Sequence, residues 1–272
     1  MIRERSLMSA DGRFAVLSEG GSAGDTALIL FNAGYIHRPG PFRLHVNLCR
    51  RWAAAGMPAV RVDQPGVGEA LRSAERPQIE LAVELLDQVQ AETGCSRFVV
   101  GGICAAADFG WRLALRDARV CGLLLLDPLA RREHWAWRIG QLRLHLGRGP
   151  GAWWQTLRRR LPGGAGRTAD AHATTWPTDA ELRDWPEPGS EAGQLAQLVE
   201  RDVEVFALYT GGAATYFNHP AQFFGGYGRA ARDPRVRFAY WPDCDHTFFR
   251  PEHRERLLAA LDDWRIQRLA AR

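Results

Sequence analysis

The sequence predicts an α/β fold: a mostly parallel central sheet of about eight strands, flanked by helices and interrupted by an inserted helical lid. Three observations point there. Continuous apolar runs at residues 26–31 (TALILF), 97–101 (RFVVG) and 120–126 (VCGLLLL) read as strands buried on both faces, as a parallel sheet requires. Amphipathic segments with helical periodicity alternate with these runs. Residues 129–200 then offer no strand candidate before the strands resume.

Taken in order, the chain opens on a strand pair at 5–9 and 13–18 around an Asp11-Gly12 turn. The run 26–31 follows, then a helix over 42–55 and a buried strand at 59–62. A helix over 79–92 leads into 97–101, and a helix over 105–116 leads into 120–126. Beyond the gap, 203–209 (VEVFALY) and 236–241 are strands, and 251–268 is the last helix. The expected organisation is a core made of 1–128 and 201–272, with a helical cap at 129–200. Two sequential domains fit less well, because the last two strand–helix units would make too small a sheet on their own.

Composition narrows the chemistry. The chain has 272 residues, 46% hydrophobic and 24% charged, the balance of a soluble globular protein. Every one of its 35 basic residues is Arg. Schiff-base lysine chemistry, a P-loop lysine and a lysine general base are therefore excluded. Codon bias is the plain explanation of a lysine-free, Arg-rich chain. A net charge of +4 is too mild to argue for nucleic acid. The charged start (Met1-Ile2-Arg3-Glu4-Arg5) is not a secretory leader, and no apolar run approaches the roughly 20 residues of an integral membrane segment. Cys49, Cys95, Cys104, Cys121 and Cys244 include no C-x-x-C pair. That argues against a disulfide framework or a zinc site and for a reducing, cytoplasmic setting. No metal or other cofactor is expected.

The stretch Gly101-Gly102-Ile103-Cys104-Ala105-Ala106 sits between a buried strand and a helix. A nucleophile on a sharp strand-to-helix turn needs small neighbours two before and two after, and Gly102 and Ala106 meet that demand around Cys104. The helix behind it would present N–H groups and a positive dipole end to the thiol. The plainer alternative is a structural cysteine at a strand end.

Here the chain resembles the α/β-hydrolases, with cysteine in the elbow G-x-C-x-A. Four segments carry the resemblance in order: Leu30-Phe31-Asn32-Ala33-Gly34-Tyr35, where the family has its oxyanion loop; Asp63-Gln64-Pro65-Gly66-Val67-Gly68-Glu69, similar to its D-x-x-G-x-G turn; the elbow; and Asp243-Cys244-Asp245-His246-Thr247-Phe248, where its catalytic histidine stands. The pattern N-A-G-x-x-H-R-x-G-P at 32–41, with a cysteine elbow and D-H-T-F, is most similar to the hydrolases associated with the exosortase A system. The resemblance implies Cys104 as nucleophile, His246 as base, and backbone N–H groups of Tyr35 and Ala105 as oxyanion donors. It leaves 129–200 unmatched.

The acid departs from the pattern. After the strand at 203–209, where the family usually carries it, the chain reads Thr210-Gly211-Gly212. Some α/β-hydrolases place the acid one strand earlier, so Asp127 is the first candidate, with helix or strand-end capping as its plainer role. Asp245 and Asp108 are substitutes, and a Cys–His pair can also work without a carboxylate. His37 and Arg38 read as substrate-positioning or loop-anchoring residues. Gly66-Val67-Gly68 is a weak look-alike of a dinucleotide loop.

The lid concentrates Trp135, Trp137, Trp153 and Trp154 with Arg158, Arg159 and Arg160, on expected helices at 131–146 and 151–160. An amphipathic cover with a solvated basic face is the plain reading. The sharper one is a face for an anionic carrier, either an acidic acyl-carrier protein or the phosphates of CoA; contact with an anionic membrane surface is a lesser one. The expected activity is hydrolysis of a small-molecule acyl ester or thioester through a Cys104–His246–Asp127 triad. An acyltransferase or off-loading cyclase of a lipid or natural-product pathway is the alternative within enzymes, and a non-catalytic binding or scaffold protein the alternative outside them. A homodimer is left open.

Overall fold

In the computed structural model, residues 1–8, 13–21, 24–71, 76–130 and 189–269 are described. The Asp11-Gly12 turn and the expected lid helices at 131–146 and 151–160 lie outside them. Eight strands form one sheet: β1 (Arg3–Met8), β2 (Phe14–Glu19), β3 (Thr26–Leu30), β4 (Ala59–Asp63), β5 (Arg97–Ile103), β6 (Val120–Leu126), β7 (Glu204–Thr210) and β8 (Val236–Trp241). Their order is β1-β2-β4-β3-β5-β6-β7-β8. Pairing is antiparallel for β1–β2 and β2–β4 and parallel across the rest. The expected mostly parallel sheet is what forms.

The apolar runs explain the layering, since a strand's side chains alternate between faces. In β6, Leu123 and Leu125 join one core cluster, while Leu124 and Leu126 join the other. The first cluster packs under α2 (Gln78–Thr93), α3 (Ala105–Arg116), α4 (Glu191–Glu200) and α5 (Ala221–Tyr227). The second packs under α1 (Leu44–Ala54) and α6 (Pro251–Trp264), where Trp52 and Trp264 meet at 6.4 Å between ring centroids. Within the stretch expected to be lid, α4 docks on the core's own α3: the Trp111 indole donates to Gln194 at 2.7 Å.

Several elements differ from expectation. The helix expected from residue 42 starts as α1 at Leu44, after a 3-10 turn at Pro41–Arg43. Phe42 and Arg43 take φ of 50° and 60°, which no α-helix accommodates. The last helix stops being α at Trp264 and continues as a π turn over Arg265–Leu269. α5 was not expected, because its seven residues, AQFFGGY, are too few to show a helical period and include two glycines, which disfavour a helix interior.

Because β5 to β8 are parallel and adjacent, their carboxyl ends lie along one edge. Cys104 directly follows β5, Asp127 directly follows β6, Thr210 ends β7, and His246 follows β8 by five residues. Four residues far apart in sequence thus reach one place.

Candidate active site

Cys104 occupies the turn between β5 and α3 with φ 59° and ψ −124°, a backbone region that non-glycine residues rarely enter. Its N–H donates to Leu126 O at 2.8 Å, and its carbonyl accepts from Ala107 N at 2.9 Å, so the turn is fixed from both sides. The glycines before it serve close packing. A Cβ on Gly101 would collide with the Leu124 carbonyl of β6, and one on Gly102 would lie 2.9 Å from the Ala106 Cβ and 3.1 Å from Phe31 O. Gly110 lets α3 sit on β5, since a Cβ there would stand 2.7 Å from the Gly101 Cα. Small residues around Cys104 are therefore a packing requirement of the elbow.

Asp127 is fully buried, and its backbone is left-handed, with φ 49°. A conformation of this kind costs on the order of 1–3 kcal/mol and persists only where surroundings hold it. Its N–H donates to Leu208 O at 2.8 Å and its carbonyl accepts from the Tyr216 hydroxyl at 3.1 Å. Among the described residues its carboxylate accepts from the Thr210 N–H on Oδ1 at 2.6 Å and from the Thr210 hydroxyl on Oδ2 at 2.6 Å, and pairs with His246 Nδ1 on Oδ2 at 2.7 Å.

The His246 ring hydrogen-bonds Asp127 through Nδ1 at 2.7 Å, and it interacts electrostatically with Cys104. Burial alone would lower its pKa. The hydrogen bonds to Asp127 and Cys104 and the charges on those groups outweigh burial, and raise it from 6.5 to about 10. The imidazole is thus held as a cation at neutral pH, beside a sulfur whose turn opens a helix. Such a cation can supply a proton to a departing group.

The structure brings Cys104, His246 and Asp127 together and sets the substitute acids to other work. Asp245 turns to its own loop, accepting from Thr247 N (3.0 Å), Thr247 Oγ1 (2.7 Å) and Phe249 N (2.9 Å). Burial would raise its pKa, but these donors hold it below the usual carboxylate value. Asp108 accepts from Leu129 N at 2.9 Å, at the start of the chain leaving β6. The Ala105 N–H lies in the first turn of α3, where backbone donors have no helical acceptor. Tyr35 lies in a tight turn after β3, closed by Ile36 N donating to Ala33 O at 2.9 Å; its ring is exposed.

His37 is exposed on the same loop. Arg38 is committed elsewhere. Its N–H and its guanidinium donate to the two oxygens of buried Asp63, at 2.6 and 2.5 Å, and the guanidinium also pairs with Glu69. These contacts favour loop anchoring over substrate contact. Asp63 in turn accepts from Glu69 N at 3.2 Å, and a Cβ on Gly68 would run into the Asp63 carboxylate. The D-x-x-G-x-G turn is thereby a clasp that ties the loop after β4 to the loop after β3. Asn32 adds a second tie, donating to Gly34 O at 2.5 Å and accepting from Gln64 N at 2.9 Å. Asp63→Asn is expected to cost about 3–5 kcal/mol, the usual loss on breaking a buried ion pair. An unfolding free energy from urea titration within about 1 kcal/mol of wild type, the scale of a surface pair, would show the clasp to be dispensable.

Two side-chain groups have metal-ligand spacing: His37, Asp63 and Glu69, and Asp243, Cys244 and His253. An arginine already engages the carboxylates in each, Arg38 in the first and Arg256, 3.1 Å from Asp243, in the second. Burial also pushes the Cys244 thiol up to about 11, away from the thiolate a metal would need.

Thr210 is the residue that sequence reasoning passed over. The signal was a hydroxyl residue ending β7 at the position where the resemblance would put a carboxylate, followed by two glycines. Gly212 has to be glycine because a Cβ there would collide with the His246 backbone.

No protein-family model matches the sequence, and no curated protein matches it at a significant level. Solved structures do match across nearly the whole chain. Proline iminopeptidase of Mycobacterium smegmatis aligns at 19% identity over 97% of this chain and 99% of its own, with a TM-score of 0.54. Dienelactone hydrolase from Anabaena variabilis aligns at 11% identity over 98% and 99%, with a TM-score of 0.56. DcsB, solved in complex with its substrate analogue, aligns at 12% identity over the full length of both chains, with a TM-score of 0.59. At these identities the likeness shows the fold, which is that of the α/β-hydrolases. No helix among the described residues is long and apolar enough to cross a membrane.

Proposed function

We propose that the protein is a hydrolase of acyl esters or thioesters, acting through an acyl-cysteine on Cys104. The observation that carries this reading is the 2.7 Å hydrogen bond that orients His246 on Asp127, with Cys104 at the elbow interacting electrostatically with the same imidazole. The Cys104 sulfur attacks the acyl carbonyl, and the tetrahedral oxyanion is met by the N–H groups of Ala105 and Tyr35. The His246 imidazolium gives its proton to the leaving oxygen or sulfur as the tetrahedral centre collapses to the acyl-cysteine. Neutral His246 then takes a proton from water, the hydroxide adds to the thioester carbonyl, and the thiolate departs with His246 protonated again. Asp127 keeps the ring oriented, with Nε2 toward the sulfur, in both halves. The hydrolase names of the structural neighbours are consistent with this reading, as is the motif resemblance to the exosortase-associated hydrolases. A core at 1–128 and 201–272 with a cap over the site at 129–200 belongs to the same proposal.

Intact-mass spectrometry after incubation with p-nitrophenyl and N-acetylcysteamine acyl donors tests it. The wild type is expected to gain one acyl mass and to turn the donors over, and Cys104→Ala is expected to do neither. Absence of both adduct and turnover in the wild type would favour a binding protein built on the same fold. Turnover that depends on an added alcohol or amine would favour acyl transfer.

A further inference from the structure

We infer that Thr210 is a positioning residue for the site, holding Asp127 in the one orientation that presents Oδ2 to His246. The inference rests on the acyl-cysteine reading for its kinetic consequences, but its geometry stands apart from any substrate. Thr210 is fully buried at the end of β7, one strand over from Asp127. It is bidentate toward the carboxylate: its N–H takes Oδ1 and its hydroxyl takes Oδ2, both at 2.6 Å. The direction of the hydroxyl is itself set, because Thr210 Oγ1 accepts from Gly212 N at 3.1 Å. With that lone pair in use, the O–H proton is free to point at Asp127.

This arrangement answers a specific difficulty. A buried carboxylate on a left-handed residue can rotate about its terminal torsion, which is broad and roughly two-fold. Rotation would swing Oδ2 off His246 Nδ1. Two Thr210 donors, one per oxygen, remove that freedom while leaving one Oδ2 lone pair for the imidazole. The same three-residue segment also packs against the base, since Gly212 lies against the His246 backbone. Position 210 thus supports an acid carried by the neighbouring strand.

Thr210→Val keeps the shape and the N–H and deletes the hydroxyl. It is expected to lower kcat by about 10-fold, the order lost with a hydrogen bond to a charged group, with KM unchanged. Thr210→Ser is expected to restore kcat. A second readout needs no substrate: the downfield proton resonance of His246 Nδ1–H should move in Thr210→Val and return in Thr210→Ser. If the wild type fails to form an acyl adduct, the acyl reading falls while this resonance still tests Thr210. Wild-type kcat in Thr210→Val with an unmoved resonance overturns the inference. So does a loss that Ser does not rescue and that appears equally in KM and in thermal stability, because that is the pattern of a packing residue.

Discussion

Asp127→Asn is expected to lower turnover of an acyl donor by about 10²–10⁴-fold, the range that a positioned proton transfer contributes. The carboxylate of Asp127 faces the Thr210 N–H, the Thr210 hydroxyl and His246 Nδ1, all donors, and it offers acceptor lone pairs to each. Asparagine has one acceptor oxygen and one NH2 group. With its oxygen toward the Thr210 N–H, the NH2 group confronts the other two partners and forces His246 to accept at Nδ1. The proton then sits on Nε2 facing the sulfur, the wrong tautomer for taking a proton from it or from water. With its oxygen on the other side, the NH2 group opposes the Thr210 N–H in a fully buried position, and the site pays with displacement of the loop. Either way the ring is misdirected. Steady-state kcat with a p-nitrophenyl ester, alongside a melting curve, is the measurement. A rate close to wild type would remove Asp127 from the proposed set and leave a Cys–His pair.

Much of this site was readable from the chain, for a physical reason in each case. The elbow was legible because it demands small residues at fixed offsets, and Gly102 and Ala106 are there for contacts the structure displays. The sheet was legible because strands buried on both faces must be apolar throughout, as β3 and β6 are. What escaped is held by contacts distant in sequence. Arg38 reads as either substrate-positioning or loop-anchoring until Asp63, 25 positions on, is seen against it. Thr210 reads as a turn residue until Asp127, 83 positions earlier, is seen against it. The left-handed backbone at Phe42 and Arg43 also leaves no trace in composition, since neither residue favours it. Local pattern therefore specified the scaffold and the elbow, while the residues that orient them depend on the pairing of neighbouring strands.

His246→Gln is expected to change the reactivity of Cys104 more than any other substitution that leaves the sulfur in place. In the wild type the imidazole is protonated up to about pH 10, so a cation faces the sulfur across the whole neutral range. Alkylation of Cys104 by iodoacetamide at pH 7 should accordingly be faster in the wild type than in the variant. Glutamine supplies no charge beside the sulfur, and the rate at pH 7 should then fall by about 10-fold or more. Cys49, Cys95 and Cys244 are buried and Cys121 is half-buried, so Cys104→Ala provides the background. Stability carries the same signature. A histidine whose pKa is 6.5 unfolded and about 10 folded binds its proton more tightly in the native state. Its contribution is therefore complete below pH 6.5 and is lost as the pH climbs toward 10. The gap in denaturation midpoint between wild type and His246→Gln should narrow over that interval. A rate at pH 7 indifferent to the glutamine would mean that the sulfur and the imidazole act separately, and His246 would have to be given up as the partner of Cys104.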